Sequence, residues 1–494
     1  MTAGSMGGST GGSTAGTLSR RAALAGLAAS SSLAAPALAR AQDPAALREA
    51  ARRATIYLFP IYEMYRARWR ATVDEANPLR QRLNRFRHVS TLAGPQTRMV
   101  SMPNGDTLLS LAWLDLSLEP MFLLVPPLGD LYYSYAFLDL FTDTFATVSH
   151  RLNGGRPAPH MIVGPAWKGD PPGDVVMVRA PTNSVWLRGR LLVSDSDELD
   201  RLAILQTRVL LETPDMRNER RILETRELMR QRTQPPPEPV ADWPAPQPAD
   251  PFDLFKIGMR ALGEGPLEDG KRSQLQTTFE SWAPLKLAPG RKFDLRAFGD
   301  VEQRAIRTGI TQGLADIRVA AARPSRTVNG WFYSEPHLGN FGDDHLYRAA
   351  TALTNLGAPE PAELVSLIAT ADADGRPLSG ERAYSLSFPG GGLPQPRAFW
   401  SLSIYQVTPD GRAFFFDNPI QRCTVGEHIP DLVRAADGAL TFHIQRTRPA
   451  GDRAANWLPA PAGSLRLVLR AYEPDEALIQ GRYRAPPVIR QSAR

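Results

Sequence analysis

The sequence reads as a mainly β chain with α-helical segments, in which a helical middle region joins two strand modules. Three observations carry this. From Arg98, and again from Arg382, short runs rich in Val, Leu, Phe and Tyr alternate with turn signals such as Asn104-Gly105, Gly164-Pro165 and Pro409-Asp410-Gly411, the close spacing of a sandwich or barrel. Between these stretches the apolar positions recur at helical spacing. The 39 Gly and 44 Pro are spread along the chain rather than massed in one tract, as many turns between short strands require.

Taken in order, residues 1–41 have the features of a twin-arginine signal peptide. No acid precedes Asp43. Ser19-Arg20-Arg21 leads into a weakly apolar run over 22–38, then a small-x-small site, either Ala37-Leu38-Ala39 or Ala39-Arg40-Ala41. Paired arginines before a mild apolar run favour the Tat route. A spanning helix takes about 20 strongly apolar residues, and neither this run nor any later one meets that. The expectation is a periplasmic or secreted bacterial protein that engages the Tat export machinery and has no transmembrane segment when mature.

Residues 42–195 are read as an N-terminal helix plus β module. Apolar positions between Ala45 and Met64 fall at helical spacing, as one or two helices interrupted at Pro60, and strands follow to Val193. Residues 196–330 are the helical middle region: Ser196 is placed to cap a helix with Asp197, Glu198 and Asp200 in its first turn. A Pro-rich linker over 233–251 crosses this region. Residues 331–494 form the C-terminal β-sandwich module, with a helical stretch over 343–356 and strands over 382–388, 398–406, 440–445 and 465–472.

Composition narrows the function. The formal net charge is +6, and removing residues 1–41 takes Arg20, Arg21 and Arg40 and no acid, lowering it by three to +3. Basic residues are scattered among acids, without a basic block or an aromatic-basic motif, so nucleic acid is not an expected partner. Cys423 is the only cysteine, which excludes internal disulfides and a multi-cysteine metal site. A chain that needs no oxidative folding suits a route that exports folded proteins. Edge strands of two sandwiches make a homo-oligomer plausible.

Several ordered motifs resemble a known pairing of bacterial domains. Val100-Ser101-Met102-Pro103-Asn104-Gly105-Asp106-Thr107-Leu108, Ala112-Trp113-Leu114-Asp115-Leu116, Tyr132-Tyr133, Leu138-Asp139, Val163-Gly164-Pro165-Ala166-Trp167-Lys168-Gly169 and Arg179-Ala180-Pro181-Thr182-Asn183 resemble the domain of unknown function numbered 1254. Phe341-Gly342-Asp343-Asp344, Arg348-Ala349-Ala350, the run from Asp374-Gly375-Arg376 to Gly380, Phe399-Trp400-Ser401-Leu402 with Tyr405, Asp417-Asn418-Pro419-Ile420 and Asn456-Trp457-Leu458-Pro459 resemble its partner, numbered 1214. The resemblance implies two jelly-roll-like β-sandwich modules, frequent export and no agreed chemistry. Leu109, His345 and Cys423 depart from it, each standing where the family usually has an aromatic.

Candidate catalytic residues are Asp106, Asp115 and Asp139. Asp106 sits in the strongest turn signal of the first module, either as a hairpin residue accepting backbone hydrogen bonds or as a general base with Asn104 and Thr107 as ligand contacts. Asp115, Asp139 and Asp143 lie in apolar surroundings, where carboxylates must be paired or rise in pKa; two close ones could run acid–base hydrolysis. Tyr133 and Tyr135 share a strand face with Phe137, as core or as a stacking wall, and Trp400 and Tyr405 are further ligand-binding candidates. Glu335, His337, Asp343, Asp344 and His345 form a His-carboxylate cluster without standard metal spacing, and Asp343-Asp344 suit a helix N-terminus. No residue pattern names a metal or a cofactor. Two functions follow: hydrolysis of a small or oligomeric organic substrate by carboxylate chemistry, or non-catalytic ligand binding in the periplasm or envelope. A close carboxylate pair beside a pocket favours the first; Asp residues paired with Arg, with an open aromatic groove, favour the second.

Overall fold

A computed structural model describes residues 42–226, 243–323, 326–427, 429 and 431–492. The signal peptide read over 1–41, and the Pro-rich core of the linker at 233–242, lie outside the described residues. Helix α1 (Pro44–Thr72) begins where the Asp43 carboxylate accepts the Ala45 N–H at 2.9 Å and Pro44 occupies the first turn, positions that favour a helix start. It runs unbroken through Pro60. An interior proline forfeits a backbone hydrogen bond at a cost of about 3 kcal/mol; burial of Tyr57, Leu58, Phe59, Ile61 and Met64 around it offsets that.

The first strand module contains β1 (Arg87–Val89), β2 (Thr107–Asp115), β3 (Met121–Leu124), β4 (Tyr133–Leu138), β5 (Thr144–Ser149), the one-turn α2 (His150–Asn153), β6 (His160–Val163), β7 (Val176–Arg179) and β8 (Ser184–Leu192), then α3 (Leu199–Gln206), β9 (Leu210–Glu212) and α4 (Pro214–Arg226). Helices α5 (Asp253–Leu262), α6 (Asp269–Glu280) and α7 (Asp300–Ala322) follow. The second module holds β10 (Arg326–Val328), β11 (Trp331–Tyr333), α8 (His345–Asn355), β12 (Leu364–Ala369), β13 (Tyr384–Phe388), β14 (Phe399–Val407), β15 (Ala413–Phe414), β16 (Thr424–Gly426), β17 (Leu440–Gln445), β18 (Trp457–Pro459), β19 (Leu465–Tyr472), α9 (Glu476–Ile479) and β20 (Ile489–Arg490).

Four sheets result. A β1-β2-β8-β4-β5 sheet shares one core with a β7-β6-β3-β9 sheet, through Leu114, Tyr133, Tyr135, Phe137, Ile162, Leu187 and Leu211. A seven-stranded sheet built around β12-β19-β14 shares a second core with β18-β17-β13-β20, through Leu386, Trp400, Leu402, Phe442 and Leu469. A third core belongs to the helices: α1, α5, α7 and α8 enclose Leu58, Ile61, Phe255, Ile306 and Ile310 and cover the outer face of the first sheet at Trp113, Ala136 and Leu138. Glycines let α1 and α7 touch closely, since a Cβ at Gly309 would stand 2.2 Å from the Arg48 carbonyl oxygen and one at Gly313 2.8 Å from that of Arg52.

The balance is therefore mixed α/β, with 28% helix and 24% strand, rather than mainly β. Helix is not confined to the middle of the sequence, because α1 and α8 join α5–α7 in one layer. The connections do not show a jelly-roll winding: β4–β5 and β10–β11 are sequential neighbours within one sheet, and β6·β7 and β17·β18 are parallel.

Candidate functional site

The two modules meet over a closed polar joint. The loop before β2 lies across β14, β15 and β19, with the Met102 N–H donating to the Ala413 carbonyl of β15 at 2.7 Å and the Met102 carbonyl accepting from Arg470 of β19 at 3.1 Å. No hairpin forms at Asn104-Gly105; Asn104 Oδ1 instead accepts the Asp106 N–H at 2.7 Å, and Gly105 packs on the Phe415 ring. Asp106, 7% exposed, accepts from the Ser401 and Tyr472 hydroxyls, both at 2.8 Å. Asn104 Nδ2 donates to the Tyr472 hydroxyl at 2.6 Å. Tyr405 donates to the Pro103 carbonyl at 2.7 Å and accepts from buried Arg470 at 2.9 Å. Burial, with Asp106 beside it, pushes the Tyr472 phenol well up. Asp106, Asn104 and Tyr405 thus converge, but every group is spent on another and the joint is sealed.

The other candidates stand apart. Asp115 closes the far end of β2, so nine residues of strand, about 30 Å, separate it from Asp106, and its carboxylate accepts the Ser117 N–H at 2.9 Å. Thr107, Tyr133, Tyr135 and Trp400 are buried in or beside the sheet cores; the Tyr133 hydroxyl donates to the Gly154 carbonyl at 2.7 Å.

Asp139 lies elsewhere, wholly buried behind Lys271, which forms the floor of an open cleft of about 1070 Å³ between α1, α6 and the start of α8. Its Oδ1 accepts the Phe141 and Asp143 N–H groups at 2.9 and 3.0 Å, and its Oδ2 is 3.2 Å from Lys271 Nζ. Lys271, on the first turn of α6, also binds Asp143, which Arg348 of α8 holds at 3.0 Å and the Phe341 N–H at 3.0 Å. Burial pushes the wholly buried Asp139 carboxyl up, with Lys271 opposing. For Lys271 burial acts downward, but Asp139 and Asp143 carry the ammonium upward, so it is a fixed cation and not a free amine.

Above this floor, Tyr57 and His345 face each other edge-on at 4.8 Å, with Trp282 5.1 Å from the Tyr57 ring. Both line the cleft, and the Tyr57 hydroxyl and His345 Nδ1 are buried with no hydrogen-bond partner among the described residues. Burial, then the charge of Arg348, pushes the His345 imidazole down; it is neutral near pH 7, with one ring nitrogen able to accept. At the rim, Asp344 caps α8 by accepting the Tyr347 N–H at 3.0 Å, and Gln274 donates to Asp343 at 2.7 Å. Among the described residues no group of three or more His, Cys, Asp or Glu stands so as to hold a metal ion.

The sequence singled out Asp139, Asp143, Asp343, Asp344 and His345, which the structure gathers at or behind the cleft, and passed over Tyr57, Lys271 and Arg348. Tyr57 looks like one apolar position on a helix and Lys271 like any surface lysine. Arg348 carried a signal, inside the Arg348-Ala349-Ala350 motif.

The family described as protein of unknown function (DUF1254) matches residues 83–213, and that described as protein of unknown function (DUF1214) matches residues 363–476. The chain pairs a DUF1254 domain with a DUF1214 domain. The sealed joint is where the two meet, Asp106 coming from the DUF1254 match and Ser401, Tyr405, Arg470 and Tyr472 from the DUF1214 match. Every residue lining the cleft lies outside both matches, as does Arg348; Asp139 and Asp143, which hold Lys271 from behind, come from the DUF1254 match. The VPA0106 protein of Vibrio parahaemolyticus is similar in fold, with 22% identity, a TM-score of 0.68 and coverage of 90% of this chain and 100% of that one. An uncharacterized protein from Burkholderia cenocepacia aligns over 88% of this chain and 86% of that one, at 13% identity and a TM-score of 0.42. Comparison with curated proteins finds no match.

Proposed function

We propose that this chain is an exported ligand-binding protein of the bacterial envelope, and that the cleft at Tyr57, Lys271 and His345 holds a small or oligomeric organic ligand. What supports this is the Tyr57 hydroxyl and His345 Nδ1, both buried at the cleft with no partner among the described residues. An unsatisfied buried polar group costs about 1–3 kcal/mol, and a polar ligand relieves that cost for both. The carboxylates around it speak for binding over catalysis: Asp139 and Asp143 are held by Lys271 and Arg348, and Asp106 is sealed in the joint. Titration calorimetry on the protein without residues 1–41 tests this. Tyr57→Phe and His345→Ala should each weaken binding about tenfold, a loss of about 1.4 kcal/mol; unchanged affinity in both variants removes the cleft from consideration.

Hydrolysis by carboxylate chemistry has one observation behind it, the close Asp139–Asp143 pair beside the cleft with Asp139 pushed up by burial. Turnover on ester, lactone, amide and glycoside substrates, lost in a folded Asp139→Asn variant and kept in Asp106→Asn, would establish it. Export by the Tat route predicts that replacing Arg20 and Arg21 together by Lys leaves the protein in the cytoplasm on cell fractionation; unchanged export overturns it.

A further inference from the structure

We infer that the ligand of this cleft carries a protonated amine, an inference that rests on the cleft being the binding site. The charges on the floor balance, Lys271 and Arg348 standing against Asp139 and Asp143. The rim decides the sign. Glu268, Asp343 and Asp344 line it, all exposed, and Arg53 is the rim cation among the lining residues. Arg53 is itself engaged, its Nε donating to Glu49 at 2.9 Å.

The opposing influence is a pair of helix ends. The first turns of α6 and α8 both line the cleft through Gly270, Lys271, His345 and Leu346, and each N-terminus acts as about half a positive charge. Both ends are already answered by acids. Glu268 accepts the Gly270 and Lys271 N–H groups at 2.9 and 3.2 Å, and Asp344 accepts that of Tyr347 at 3.0 Å. With His337, 3.4 Å from Asp344, in its neutral form, three rim carboxylates outweigh Arg53 and two half-charges, so an incoming anion meets net repulsion and a cation net attraction.

The unpartnered atoms suit the same ligand. A neutral imidazole offers an acceptor and the Tyr57 hydroxyl can accept as well, so an ammonium can donate to both. The aromatic wall of Tyr57 and Trp282 adds apolar surface at which a cation is tolerated better than an anion. An anion can use only the Tyr57 hydroxyl proton, because Lys271 and Arg53, the cations of the lining, are already held by carboxylates.

The test uses matched probes that differ in one group, measured by calorimetry below neutral pH, where the amines are protonated: glucosamine, glucose and glucuronate; ethanolamine, ethylene glycol and glycolate; putrescine, butanediol and succinate. The expected result is at least one amine binding about tenfold or more tighter than its alcohol and acid counterparts. Asp343→Asn and Glu268→Gln, each exposed, should reduce that preference while circular dichroism shows the fold intact. Alcohols or acids binding as tightly as amines overturn the inference and leave the cleft as the site. Amine binding that survives Tyr57→Phe and His345→Ala unchanged overturns the site itself, and no binding by any probe overturns both.

Discussion

Asp106 and Asp139 are buried carboxylates of the same chain, and their partners give them different work. Asp106 is met by two neutral hydroxyls and ties one module to the other. Asp139 shares the Lys271 ammonium with Asp143, which makes Lys271 the residue on which the cleft floor depends. Removing one partner of a buried charge cluster costs about 3–5 kcal/mol because the rest is left uncompensated. Lys271→Met should therefore lower unfolding free energy by about 3 kcal/mol near neutral pH, the low end because Lys271 is partly exposed. The pH dependence has a definite sign. Lys271 is raised above its ordinary 10.5 in the fold, so its contribution is fully present below that value and is lost as pH rises through the folded one. Denaturant unfolding of parent and variant over an alkaline series should show the gap between them narrowing; a constant gap would contradict the assignment.

Among the elements, α1 and α7 make the tightest demand on sequence. Alanine is ordinarily better than glycine inside a helix by up to about 1 kcal/mol, yet at Gly309 its Cβ would meet the Arg48 carbonyl and the Ala51 methyl. Gly309→Ala should destabilise by about 1–3 kcal/mol, the usual range for overpacking, read as a lower thermal midpoint; a higher midpoint would mean the two helices can part without loss. The same pair shows what a sequence discloses. Short apolar-rich runs, the first opened by the Asp437-Gly438 turn, made the strands at 440–445 and 465–472 legible to the residue. β9 was not legible, because Leu210–Glu212 sits amid helical spacing and becomes a strand only by pairing with β3. Pro60 suggested a break that tertiary packing overrides. His345 and Asp343 stood out as a His-carboxylate cluster, whereas Tyr57 and Lys271 join them only because α1 and α6 are brought to the start of α8, and no local pattern records that.

For the whole molecule, the polar joint determines whether two modules behave as one body. Tyr472 both donates to Asp106 and accepts from Asn104, so Tyr472→Phe leaves Asp106 with the Ser401 hydroxyl and strands the Asn104 amide. A loss of about 1–3 kcal/mol follows from the unsatisfied groups, and the loop before β2 should loosen from β14 and β19. Limited trypsin digestion is the check, with faster cleavage at the exposed Arg98 expected in the variant and an unchanged rate counting against the joint. The helical layer has a further consequence, one of timing. α1 is complete at residue 72, but α7, whose glycines receive it, ends only at residue 322, 250 residues later. At about 5–20 residues per second of synthesis the gap lasts about 12–50 s. Throughout it Leu47, Leu58 and Ile61 lack the surface that finally covers them, so the first helix made is among the last to be secured, and the N-terminal module cannot be finished before synthesis has reached the start of the second.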